Sequence, residues 1–148
     1  MIIRRLQISE LRLMTEGGFS FFKEAQLPGE FNPAAFEETW KNLLYGGKGH
    51  ILASFAGSEI TGVLGFVVSR DLHTGDLMAT ETMWYTLPNH RGHGIRLLKA
   101  FEEQAAKLGA KRIAMIHLLT INAPELEKLY QRMGYKAIEV HYLKEVQP

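Results

Sequence analysis

The chain has 148 residues, 46% of them hydrophobic, which suits one domain with its own core over residues 1–148 and leaves too little for a second. Seventeen Lys and Arg stand against sixteen Asp and Glu, a formal net charge of +1, so bulk electrostatics argues against nucleic acid or an anionic membrane as partner. The absence of cysteine excludes disulfides, thiolate metal sites and a cysteine nucleophile.

In chain order, Met1-Ile2-Ile3-Arg4-Arg5 lacks the long apolar run of a secretion signal, and no stretch approaches a membrane span; a cytoplasmic location is expected. Ile2 to Ile8 reads as a strand, followed by a helical start at Ser9 and Glu10 that Gly17-Gly18 interrupts. Phe19 to Phe31 reads as a mobile, aromatic-rich connection. Asn32-Pro33 then caps a helix with Phe36, Trp40, Leu43 and Leu44 on one face, stopped by Gly46-Gly47. His50 to Ala56 and Glu59 to Ser69 form a hairpin in which Gly62 and Gly65 signal a bulge or a close backbone approach, and Met78 to Leu87 is the next strand. A helix follows with Ile95, Leu98, Phe101, Ala105 and Leu108 inward, ended by Gly109. Arg112 to Leu119 reads as a buried strand, Pro124 to Met133 as a helix closed by Gly134, and Tyr135 to Val146 as a last strand. The order β-α-α-β-β-β-α-β-α-β predicts a mixed α/β fold: a central, mostly antiparallel mixed sheet flanked by helices.

The junction Leu87-Pro88-Asn89-His90-Arg91-Gly92-His93-Gly94-Ile95-Arg96-Leu97-Leu98 carries the most chemistry. Gly92 and Gly94 favour positive φ and close ligand approach. The first turn of the following helix supplies unpaired N–H donors and the positive end of its dipole, a site suited to a pyrophosphate, with Arg91 and Arg96 beside it. The nucleotide P-loop is excluded because Ile95-Arg96 stands where Lys-Ser/Thr is required, and the dinucleotide fingerprint because its third glycine is missing. His90 and His93 have no third ligand within a recognisable spacing, so no metal is expected.

The element order and this junction resemble the GNAT superfamily of acyl-CoA-dependent N-acyltransferases, whose signature is Gln/Arg-x-x-Gly-x-Gly/Ala. From Arg91, Gly94 fits and Arg96 replaces the final small residue; from Asn89, both Gly92 and Gly94 fit and Asn replaces Gln/Arg. Leu129-Tyr130-Gln131-Arg132-Met133-Gly134-Tyr135 resembles the family's Leu-Tyr-x-x-x-Gly-Phe/Tyr, and Trp84-Tyr85, Pro88 and Arg91-Gly92 together are similar to small members encoded by bacteriophages and prophages. The resemblance implies acetyl-CoA as acyl donor. It implies Trp84, Tyr85 and Thr86 as backbone contacts to the pantetheine arm. Arg91, Gly92, His93, Gly94, Ile95, Arg96 and Leu97 would lie around the pyrophosphate, and Asn122 would touch the cofactor.

Acyl transfer to an amine requires a neutral amine, a stabilised oxyanion and a proton for the departing thiolate. Glu81 is one candidate base; strand alternation puts it on the face of Met83 and Tyr85, away from Thr82, Trp84 and Thr86. A solvent-facing or ion-paired carboxylate is an equal reading. His117 is a rival base, although a lone His within Ile116-His117-Leu118-Leu119 more often simply packs. Tyr130 is the candidate general acid by resemblance, and its place in the stripe Leu126, Leu129, Tyr130, Met133 also suits packing. Phe19, Phe21, Phe22, Phe31, Trp40 and Tyr45 supply core, with one or two left for an apolar acceptor site or a homodimer contact. Glu16, Glu24 and Glu30 suit a cationic amine or a solvated face. The expectation is an N-acetyltransferase that moves acetyl from acetyl-CoA to a small-molecule or peptide primary amine by direct attack in a ternary complex. The competing reading is a catalytically weak acyl-CoA-binding or regulatory module on the same fold.

Overall fold

The computed structural model describes residues 1–121 and 123–148. Strands β1 (Ile2–Arg5), β2 (Gly49–Ala56), β3 (Glu59–Arg70), β4 (Leu77–Thr86) and β5 (Arg112–Ala114) form one sheet in the order β1-β2-β3-β4-β5. The first three pairings are antiparallel and β4–β5 is parallel. A parallel neighbour requires a crossover, and helix α3 (Gly94–Lys107) provides it. Helices α1 (Arg12–Glu24) and α2 (Pro33–Tyr45) precede β2, and α4 (Pro124–Arg132) follows β5.

Each face of the sheet carries its own core. On one side α1 and α2 bury Met14 and Trp40 against Ile51, Ala53, Phe55, Val63, Met83 and Tyr85. On the other, α3 and α4 bury Leu97, Leu98, Phe101, Ala105 and Tyr130 against Leu52, Leu64, Phe66 and Ala79. Phe66 and Phe101 are fully buried with ring centroids 4.6 Å apart, each side chain worth about 1.5–3 kcal/mol in burial alone. The expected inward face of α3 needs one correction: Ile95 is 41% exposed and Leu97 takes its place in the core.

Two glycine readings change as well. Gly17-Gly18 does not interrupt α1, which runs on to Glu24 and absorbs the start of the supposedly mobile connection. A Cβ on Gly18 would stand 2.5 Å from the Phe36 ring, so this glycine admits a close helix crossing that outweighs its roughly 1 kcal/mol helix penalty. Phe31 packs against Phe19, Phe22 and Phe36 at centroid separations of 5.2–5.8 Å, which gives that aromatic segment a packed anchor. The expectation for Gly65 holds. A bulge falls between Gly65 and Phe66, and a Cβ there would come within 2.6 Å of the Trp40 ring. Gly65→Ala is therefore expected to destabilise by about 1–3 kcal/mol, because overpacking a buried Trp exceeds the 0.4–1 kcal/mol or so gained by stiffening the unfolded chain. The shift of the urea midpoint measures it.

The last expected strand does not form. Tyr135 to Val146 alternates in sequence, but residues 136–148 adopt no regular structure and the apolar members lie open to solvent. Alternation alone does not make a strand; its backbone must also pair with a neighbour. The expected strand from Arg112 to Leu119 likewise shrinks to Arg112–Ala114, with no buried residue along the whole run.

Candidate active site

The site is built where two parallel strands part. β4 pairs with β5 only from Met78 to Thr80, against Arg112 to Ala114. Beyond Thr80, β4 continues to Thr86 along β3, and its other edge has no strand partner among the described residues. The segment after β5 is drawn aside by Thr120, whose hydroxyl donates to the Ala25 carbonyl at the end of α1 at 2.7 Å. A wedge-shaped gap results, with the backbone groups of residues 82–86 along one wall.

Glu81 stands at the apex. Its Oε2 accepts the Ile116 N–H at 3.0 Å across the gap, and only 3% of the residue is exposed. Burial pushes its carboxyl up from 4.5 to about 7, the single N–H donor offsetting only part of that effect. The face expected for Glu81 is wrong. The bulge leaves Thr82 as the extra residue, so Glu81 lies opposite Phe66 while Met83 lies opposite Gly65. Cross-strand partners share a face. Met83 and Tyr85 consequently join the α1/α2 core, and Glu81 turns to the α3/α4 side, with Phe66, Trp84 and Tyr130. A bulge re-aims a side chain in just this way.

Tyr130 reaches the same point from α4. Its hydroxyl donates to the Ile116 carbonyl at 3.1 Å, and its ring lies 6.5 Å from Trp84 and 5.6 Å from Tyr135. Desolvation, reinforced by the Glu81 carboxylate, holds the phenol far above its ordinary value, so it remains an O–H donor. Glu81 and Tyr130 thus grip the two polar groups of one peptide residue, Ile116. Sequence reading missed that hub because its contribution is backbone. His117 is half-buried, and its side chain makes no hydrogen bond among the described residues.

At the open end of the gap, Pro88–His93 forms a 3₁₀ turn that runs directly into α3. The first-turn N–H groups, Gly94 to Leu97, have no i−4 acceptors within α3; Gly94 donates back to the Arg91 carbonyl. Neither Gly92 nor Gly94 has positive φ, contrary to expectation. The value of Gly94 is steric: a Cβ would press within 3.3 Å of Trp84 and Thr86. Gly92 faces open space, and His93, Ile95 and Arg96 are exposed around it. Arg91 is tied to Glu24 at 2.7 Å, and the other oxygen of that carboxylate accepts the Tyr85 hydroxyl at 3.3 Å. Glu24 therefore links α1, β4 and the turn across more than sixty positions, with no local signal in the sequence. Asn122 lies outside the described residues.

On the α1 side, a groove of about 790 Å³ includes Glu10, Glu16, Glu59, Tyr85 and Leu87 in its lining. Glu10 is committed to Arg4 by two hydrogen bonds, at 2.7 and 2.9 Å, while Glu30 is exposed elsewhere. Among the described residues no group of three or more His, Cys, Asp or Glu is placed to hold a metal ion, and no helix is long and apolar enough to cross a membrane.

Known structures share this arrangement of elements. A probable acetyltransferase superposes with a TM-score of 0.80 at 14% identity, covering 100% of this chain and 99% of its own. A predicted acetyltransferase from Clostridium acetobutylicum, solved with acetyl-CoA, gives 0.79 at 13% identity with coverage of 98% and 95%. AAC(6')-Iy, in complex with the bisubstrate analogue CoA-S-monomethyl-acetylneamine, gives 0.78 at 15% identity with coverage of 99% and 98%. No curated protein matches by sequence. The acetyltransferase (GNAT) family matches residues 19–135, a span that takes in the wedge, Glu81, the phosphate-type turn and Tyr130. The chain belongs to the GNAT acetyltransferase family.

Proposed function

We propose that the chain is a single-domain, cytoplasmic N-acetyltransferase that carries acetyl from acetyl-CoA to a primary amine by direct attack. The observation that carries this reading is the buried Glu81 carboxyl and the Tyr130 hydroxyl held by the N–H and the carbonyl of one residue, Ile116, at the apex of an open strand edge, with burial pushing the carboxyl up to about 7. Membership of the family and the two relatives holding acetyl-CoA or a CoA analogue support the choice of donor. The pantetheine arm lies along the edge of Trp84 to Thr86. The pyrophosphate rests on the turn from Gly92 to Leu97, where helix N–H groups and Arg96 meet its charge and the Arg91–Glu24 pair borders it. No metal takes part.

Glu81 takes a proton from the acceptor ammonium, directly or through water, because its carboxyl ionises near neutrality. The free amine attacks the thioester carbonyl, and the oxyanion is met by a β4 N–H near Tyr85. Collapse of the intermediate breaks the carbon–sulfur bond; Tyr130 hands its proton to the leaving sulfur and regains one from the former amine nitrogen, which becomes the amide, while Glu81 releases its proton to solvent. His117, whose side chain makes no hydrogen bond among the described residues, is left as a wall residue.

The absence of cysteine makes the test clean, since a thiol reagent then reads only released coenzyme. Acetyl-CoA is offered with aminoglycosides, polyamines, lysine and peptide N-termini in turn. Thiol release that depends on one amine class, with an acetylated amine detected by mass, is the expected result. Release no faster than spontaneous hydrolysis with every amine, despite bound acetyl-CoA, contradicts the reading and leaves a binding module.

A further inference from the structure

Tyr130 has one hydroxyl proton, and at rest it donates that proton to the Ile116 carbonyl at 3.1 Å. A single O–H cannot point at this carbonyl and at a leaving sulfur together. With Tyr130 as the acid, the reading on which this inference rests, the Ile116 bond is given up as the proton moves. Another contact must then hold α4 in place.

The helix has few anchors of its own. Of its nine residues only Tyr130 is buried, and Ala123 at its start has no polar side chain with which to cap it. Leu126, Leu129 and Met133 are only partly buried against the α3/α4 core. Among the described residues, two side-chain hydrogen bonds join α4 and its closing turn to other elements. One is the Tyr130 bond. The other runs from the Tyr135 hydroxyl to Oε1 of Glu102 on α3, at 2.7 Å. Tyr135 is in turn locked to Tyr130. Gly134, at φ +89°, ends α4 in a Schellman turn: the Tyr135 N–H donates to the Tyr130 carbonyl at 2.9 Å and the Gly134 N–H to the Gln131 carbonyl at 3.1 Å. The two phenol rings lie 5.6 Å apart. Burial and the Glu102 carboxylate hold the Tyr135 phenol above its ordinary value, so it stays a donor. Glu102 follows the fully buried Phe101 and stands about two turns along α3 from Gly94, the end that seats the pyrophosphate in the same reading.

We propose that Glu102 and Tyr135 are positioning residues for acetyl transfer: their hydrogen bond fixes α4 to α3 and keeps the Tyr130 hydroxyl at the leaving sulfur once the Ile116 bond is released. Coenzyme seat and proton donor are thereby referred to one helix. The bond is charge-assisted and short, as a fixed tie between two helices requires.

Tyr135→Phe removes that bond and keeps both rings. Its kcat should fall about ten-fold with the KM for acetyl-CoA within about two-fold of the parent, because the resting site keeps its Ile116 anchor. Glu102→Ala should match it, whereas Glu102→Gln, whose amide oxygen still accepts the phenol proton, should keep kcat within about two-fold of the parent. In a Tyr130→Phe background, Tyr135→Phe should cost nothing more in kcat, since no proton donor remains to be placed. A loss that persists in full in that background, or a raised KM with kcat kept, would show a general structural role and overturn the proposal. Parental turnover in Tyr135→Phe beside a slow Tyr130→Phe would overturn it too. Amide exchange tests the anchor apart from activity: residues 126–133 should exchange about ten-fold faster in Tyr135→Phe and at the parental rate in Glu102→Gln. Unchanged exchange in Tyr135→Phe would remove the anchor and the proposal with it. Parental turnover in Tyr130→Phe, with exchange as expected, would uphold the anchor and count against the proposed function.

Discussion

Replacing Glu81 with Gln is expected to lower kcat by about 10²–10⁴-fold, the range for removing a positioned general base, with acetyl-CoA affinity nearly unchanged. The amide keeps the volume of the carboxylate and can still accept the Ile116 N–H, so the wedge stays closed at its apex. What it loses is a proton acceptor that ionises at about 7. In the parent enzyme, activity should accordingly rise with pH through about 7, since only the carboxylate can take the proton. Stability should move the opposite way. Between the usual 4.5 and about 7 the folded chain retains a proton that the unfolded chain has lost, so stability is full below 4.5 and declines as pH climbs through 7. That interval corresponds to ~3 kcal/mol at about 1.4 kcal/mol per pH unit. Denaturant midpoints at about pH 5 and about pH 8 should therefore differ in the parent by a contribution that Glu81→Gln abolishes. Unchanged turnover in the variant would remove Glu81 from the chemistry, whatever the stability data showed.

Tyr130→Phe carries the second large effect, a loss of about 10²-fold or more in kcat with little change in the KM for acetyl-CoA. The ring contacts with Trp84 and Tyr135 survive the substitution. Only the hydroxyl and its bond to the Ile116 carbonyl disappear, at a stability cost of about 1 kcal/mol. A packing role alone would predict near-normal turnover from Phe. Because burial and the nearby carboxylate keep the phenol protonated well into alkaline solution, the parent should show no alkaline decline due to this group. Steady-state kinetics on both proteins, with thiol release as the signal, separate the two roles.

The features legible in the sequence were those with a short-range cause. Asn32 and Pro33 announce α2, and the cap is present, the Asn32 side chain accepting the Ala35 N–H at 3.0 Å. The run from Pro88 to Leu98 announces a turn entering a helix, and Leu129 to Tyr135 places a phenol beside a helix end. What escaped depends on pairing. A single extra residue at Thr82 reverses the side to which Glu81 points, and nothing in Thr80-Glu81-Thr82-Met83 distinguishes a bulge from plain alternation. Gly18 and Gly94 serve close packing against Phe36 and Trp84, which are contributed by other elements. The link from Glu24 to Arg91 and Tyr85 joins positions with no periodic relation. The tail shows the converse failure: Ile138, Val140 and Tyr142 alternate as in a strand, and residues 136–148 form none.

The account rests on the wedge between β4 and the segment after β5 as a seat for an acyl-coenzyme, and calorimetric titration with acetyl-CoA tests that most directly, with ATP and NAD as controls. The predicted result is saturable binding of about micromolar strength, near −8 kcal/mol, selective for acetyl-CoA and accompanied by thermal stabilisation. No heat and no stabilisation with acetyl-CoA, or equal binding of all three ligands, would contradict it and reduce the turn from Arg91 to Leu97 to an ordinary strand-to-helix connection.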